Sequence, residues 1–101
     1  MGALHLVSRS PHESSSLAQC LERVAEGDAV LLLAGAVYAA LKDSVFAPRL
    51  QAALARVEVC ALAPDLAARG VAAEEVLAGL VLVDYEGFVA LSLRHAPALS
   101  W

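Results

Sequence analysis

Hydrophobic positions along this chain alternate between short continuous runs and helical spacings. Leu4-His5-Leu6-Val7-Ser8 reads as a first strand, ended by Ser10-Pro11, since proline cannot continue a ladder interior. Ser14–Glu26 carries a helical pattern, with Leu17, Leu21 and Val24 at spacings of four and three and Gly27 placed to stop it. Ala29–Ala34 is an unbroken apolar run between Asp28 and Gly35, the look of a strand buried on both faces. Val37–Lys42 predicts a short helix, and Pro48–Arg56 a second one with Leu50 and Leu54 four apart. Val57–Leu62 predicts a third strand closed by Pro64. Asp65–Arg69 forms a helical turn with Gly70 as its C-cap, and Val71–Leu77 adds another. Leu80–Val83 predicts a fourth strand. Tyr85–His95 fits both periods: Phe88, Leu91 and His95 match a helix, while Val89, Leu91 and Leu93 alternate. Its place after a buried strand favours a helix, with Ala98–Trp101 as a short last strand at the sheet edge.

Strands alternating with helices predict a single α/β domain over residues 1–101 with a mostly parallel sheet of four to five strands. In such sheets chemistry gathers at the carboxyl ends of the strands. Those ends are Ser8–Pro11, Ala34–Val37, Leu62–Asp65 and Asp84–Glu86.

Composition adds a tension. Hydrophobic residues make up 59% of the 101 residues and charged ones 18%, against about 45–50% and about 25% in ordinary domains. Either alanine and leucine are simply enriched, or a partner covers part of the apolar surface. The net charge is −4 and Lys42 is the only lysine. With no basic footprint, direct contact with nucleic acid is not expected. The start of the chain runs into His5, Arg9, Pro11 and Glu13 without a secretory pattern, and Ala29–Ala34 is too short to span a bilayer. A cytoplasmic protein off the membrane is expected. Cys20 and Cys60 have no CxxC spacing, so neither a zinc site nor another cofactor is expected.

Motifs for common chemistries are missing. There is no GxGxxG, no GK[ST] and no GxSxG, which argues against a stand-alone nucleotide-binding domain or an elbow-type hydrolase. His5, Ser8, Ser10 and His12 lie close in sequence, but serines at a strand end read first as turn formers. Cys20 lies on the first helix, on the flank of the Leu17–Leu21–Val24 face towards Ser16 and Arg23. A partly exposed thiol beside an arginine would be reactive, whereas a fully packed one would be an inert hydrophobe. Cys60 sits in a buried run and reads as core. His5 reads as a buried histidine with a hydrogen bond. Trp101 either meets a partner or folds back on its own chain.

The ordered features resemble the DsrH/TusB family of bacterial sulfur-relay proteins. The matching pieces start with Leu4-His5, Ser10-Pro11, Ser16-Leu17 and Cys20-Leu21, followed by Glu26-Gly27, Leu31-Leu32 and Val37-Tyr38-Ala39-Ala40. Pro64-Asp65-Leu66, Ala68-Arg69-Gly70, Val83-Asp84-Tyr85, Phe88-Val89 and Trp101 complete the series. The resemblance implies a five-stranded sheet with helices on both faces and a place in a heterohexamer. That assembly contains two copies each of three homologous subunits, the others being of the DsrE/TusD and DsrF/TusC types. It relays persulfide sulfur from donor to acceptor proteins, for 2-thiouridine at the tRNA wobble position or for dissimilatory sulfur oxidation. The resemblance places the principal sulfur-carrying cysteine on the DsrE/TusD-type sister subunit. It gives Cys20 the position of a first-helix cysteine found in dissimilatory members, a candidate catalytic persulfide carrier. The alternative is a non-catalytic subunit that shapes the assembly. Ala34-Gly35-Ala36 stands where relatives often have an acidic residue and glycine. Leu62, two positions beyond Cys60, stands where the sister subunit's active cysteine would fall.

Overall fold

A computed structural model describes residues 2–101. Five strands form one sheet: β1 (Leu4–Val7), β2 (Ala29–Leu32), β3 (Glu58–Leu62), β4 (Val81–Val83) and β5 (Ala98–Ser100). Their spatial order is β4-β3-β2-β1-β5 and every pairing is parallel. Four α-helices connect them: α1 (Ser16–Arg23), α2 (Ala47–Ala53), α3 (Ala63–Ala68) and α4 (Tyr85–Arg94). Short 3-10 helices occupy Ala34–Ala40 and Ala73–Glu75.

The topology explains the helix distribution. Strands β1 to β4 step across the sheet in one direction, and the chain then returns over it to place β5 beside β1. Right-handed crossovers put helices of opposite stepping direction on opposite faces. One face therefore packs Val7, Val30, Leu32, Val59 and Ala61 against Leu17 and Cys20 of α1, Leu50 of α2, Leu66 of α3 and the first 3-10 helix. The other face has only α4, whose Leu91 and Phe88 cover Leu4, Ala29, Leu31 and Cys60. All four residues of β2 are buried, as its unbroken apolar run predicts.

Several boundaries differ from the sequence expectation, each for an identifiable reason. The first helix is shorter than Ser14–Glu26. Val24 already has extended dihedrals, and the Ala25 N–H turns to donate to Asp28 Oδ2 at 3.0 Å. The strand expected over Ala29–Ala34 stops at Leu32, because Ala34 takes a left-handed conformation at φ 48°. Pro64 does not merely close β3; it sits in the first turn of α3, where a missing N–H costs nothing. The ambiguous Tyr85–His95 segment is helical. The Asp84 side chain caps α4 by accepting the Gly87 N–H at 2.8 Å, and Arg94 supplies a cation to the last turn.

Candidate functional site

Cys20 lies on the flank of its helix face, as expected, but is fully buried there, not partly exposed. The buried stripe of α1 runs Leu17–Cys20–Val24, and Leu21 lies at its margin. At about 100° per residue, Val24 falls between Leu17 and Cys20, so Cys20 sits at one edge of a face wide enough to bury it. Arg23 points to solvent. Burial pushes the Cys20 thiol up to about 12, and the Asp28 charge adds to the effect. The expected assistance from an arginine is thus replaced by a nearby carboxylate that disfavours the thiolate.

Cys60 lies on the opposite face of the sheet, also fully buried, against Leu4, Leu31 and Leu91. Its thiol too is pushed up to about 12, by burial and by Glu58, with Arg94 opposing. The sheet separates the two free thiols, so they do not form a disulfide. Among the described residues no group of three or more His, Cys, Asp or Glu side chains is arranged to hold a metal.

The best-connected polar group surrounds His5. Its Nε2–H donates to Asp28 Oδ2 at 2.8 Å, and its Nδ1 accepts the Trp101 indole N–H at 3.1 Å. Asp28 also accepts the Ala3 and Ala25 N–H groups, at 2.9 and 3.0 Å. Burial alone would raise the Asp28 carboxyl. The donors from Ala25, His5 and Ala3 outweigh that and hold it below the ordinary carboxylate value. Trp101 thus folds back on its own chain, and its N–H continues the ladder by donating to the Leu6 carbonyl at 2.9 Å. Both ring nitrogens of His5 are engaged, so it offers neither to a serine.

Ser8 and Ser10 sit at the carboxyl end of β1. Ser10 does turn work: its hydroxyl accepts the His12 N–H, and its carbonyl accepts those of Glu13 and Ser14. A cavity of about 480 Å³ opens here, lined by Ser8, Arg9, Ser10, Glu13, Ser14 and Gly35. Its far wall depends on residues with no motif signature. The Ala34 N–H donates to Asp65 Oδ2 at 2.6 Å, locking the left-handed turn after β2. Gly35 then packs so close that a Cβ there would lie 3.1 Å from the Ser10 nitrogen. A signal for Asp65 was present only as an acidic residue beyond a strand end.

The outer face of α4 is apolar. Tyr85, Val89 and Leu93 recur every four residues and are 61%, 57% and 80% exposed. Val81 and Leu82 on the neighbouring edge strand β4 are exposed as well. Arg94 and Glu58 form a solvent-exposed ion pair at 3.6 Å beside this surface. Among the described residues no helix is long and apolar enough to cross a membrane, so the stripe is not part of a spanning segment.

Comparison with known proteins agrees with this architecture. Residues 9–98 match the family described as DsrH like protein. The chain is 39% identical over 98 residues to Protein TusB of Pectobacterium parmentieri, covering 97% of this chain and 99% of that one. It is 35% identical over 98 residues to Protein TusB of Escherichia coli K12, with the same coverage. The crystal structure of the ychN protein from E. coli superposes with a TM-score of 0.82, covering 100% of both chains at 18% identity, a likeness of fold. The family match over residues 9–98, the identity to TusB proteins over nearly the full length and the shared parallel fold together show that this chain belongs to the DsrH/TusB family.

Proposed function

We propose that this chain is a subunit of a cytoplasmic sulfur-relay assembly and contributes a docking surface, not the sulfur-carrying thiol. The observation that carries this reading is the exposed apolar stripe Tyr85–Val89–Leu93, with Val81 of the edge strand on the same sheet face. A lone chain gains nothing from such a surface, whereas a subunit covers it with a partner. Homologous sister subunits of the DsrE/TusD and DsrF/TusC types are the partners the family implies. The likeness to TusB proteins, at 39% and 35% identity, favours tRNA wobble-uridine thiolation over dissimilatory sulfur oxidation.

Sulfur relay proceeds when an acceptor thiolate attacks the outer sulfur of a donor persulfide. A new persulfide forms on the acceptor, and the donor leaves as its thiolate. Such an acceptor must be deprotonated and reachable. Cys20 and Cys60 are neither: both are fully buried and their thiols are pushed up to about 12. For Cys20 to carry persulfide, α1 would first have to lift from the sheet.

The test is co-expression with both sister subunits, purification on a tag carried by one of them, and loading with a persulfidated donor. Thiol mapping by mass spectrometry should find the added sulfur on a sister subunit, with Cys20 unmodified and transfer retained in a Cys20→Ser complex. Label on Cys20, with transfer lost in the variant, would make this chain a carrier. Failure to co-purify would end the subunit reading.

A further inference from the structure

The cavity at the carboxyl ends of β1 and β2 has the position at which parallel α/β sheets bind ligands. Its volume of about 480 Å³ lies within the about 300–1,000 Å³ of small-molecule sites. Its walls are held in place before any ligand arrives. Asp65 fixes the turn at Ala34, Gly35 abuts Ser10, and the Ser10 carbonyl gathers the Glu13 and Ser14 amides.

The lining is chemically asymmetric. Arg9 forms no ion pair among the described residues, in a protein whose net charge is −4. The Ser8 hydroxyl forms no hydrogen bond among them either. Ser10 Oγ accepts the His12 N–H, which leaves its own O–H free to donate. Against these donors stands one acceptor, the Glu13 carboxylate, which also forms no ion pair among the described residues.

We propose that this cavity binds a phosphate group that retains a proton. Arg9 and the hydroxyls of Ser8 and Ser10 donate to the unprotonated phosphate oxygens, the charge-assisted arrangement that favours an oxyanion. Glu13 accepts the P–O–H. An ionised carboxylate is acceptor-only, so Glu13 welcomes hydrogen phosphate and repels sulfate, which has no proton to offer. The volume exceeds what the phosphate group itself fills. The phosphate therefore belongs either to inorganic phosphate or to the singly protonated form of a small monoester; each presents a P–O–H, and the titrations are run at about pH 6, where a monoester still holds its proton in part. This site stands apart from the relay reading, since neither thiol lines it and each can fail alone.

The test titrates the isotope-labelled full chain with inorganic phosphate, sulfate and glycerol phosphate, following amide shifts. Phosphate should give saturable shifts confined to residues 8–14 and 34–35, with sulfate weaker. Arg9→Ala should weaken phosphate binding about tenfold or more, the scale of one charge-assisted hydrogen bond. Glu13→Gln should remove the preference for phosphate over sulfate, because the amide can donate as well as accept. Tighter binding of glycerol phosphate assigns the site to a monoester; equal or weaker binding assigns it to the free ion. Non-saturating shifts, binding unchanged in Arg9→Ala, or sulfate binding as tightly as phosphate to the unmodified chain would overturn the proposal.

Discussion

At the scale of single residues, the decisive one is Cys20. It is the type of side chain that reads as reactive from sequence and turns out to fill the core. Iodoacetamide should modify neither Cys20 nor Cys60 in the folded chain and both in denaturant, as read by intact mass. The pH dependence has a definite sign. The folded chain holds both thiol protons up to about 12, whereas the ordinary value is 9.0. The unfolded chain therefore gives up protons first, so stability is complete below that ordinary value and falls as pH climbs towards 12. Thermal melts at about pH 8 and about pH 10 should show this fall, and it should be shallower in a Cys20→Ala, Cys60→Ala chain. Asp28 works in the other direction. Its carboxyl is held below the ordinary 3.8, so its contribution is present above that value and is lost as pH falls through the folded value. Trp101→Phe removes the indole donor to His5 and should cost about 1 kcal/mol in denaturant melts. Asp28→Ala, which strands two amides and the His5 ring, should cost about 2–4 kcal/mol.

At the scale of elements, α4 shows how much one cap decides. The segment satisfies both a strand and a helix period, and periodicity alone does not choose. Asp84 chooses, because its carboxylate takes an amide that a strand would have offered to a ladder. Asp84→Ala should destabilise the chain by about 1 kcal/mol, measured by urea melts. The central strands β2 and β3 are legible as continuous apolar runs buried in the sheet, whereas the exposed edge strands β4 and β5 are legible from their place in the alternation of strands and helices. Boundaries were less legible where a side chain far along the chain ends an element. Ala34 leaves β2 in a left-handed turn because Asp65, 31 residues on, takes its N–H. No window around residue 34 contains that information. The centre of α1 was misplaced for a related reason. Leu21 is the larger hydrophobe, but which of two adjacent positions faces inward depends on the angle at which the helix lies on the sheet.

At the scale of the whole molecule, the two sheet faces are covered unequally. Three α-helices and a 3-10 helix seal one face, while α4 alone crosses the other and leaves Tyr85, Val89 and Leu93 exposed. The hydrophobic excess in the composition now has an address. Alanine, leucine and valine fill the core, and most of the large hydrophobic side chains left exposed lie on α4 and β4, with Tyr38, Val45 and Leu99 elsewhere. The candidate chemistry was legible only in part. Sequence singled out Ser8, Ser10 and the strand ends, but not the roles of Arg9, Glu13 and Asp65 around one cavity, which appear only when two loops meet. The central claim is that the α4 stripe is this chain's docking surface within a relay assembly. The most direct measurement is the native mass of the complex formed when this chain, unmodified or as Val89→Asp, Leu93→Asp, is co-expressed with its two sister subunits. Both positions are solvent-exposed, so the doubly substituted chain should keep its fold and melting temperature yet be missing from the complex that the unmodified chain enters. A complex of unchanged mass containing the substituted chain would contradict the account.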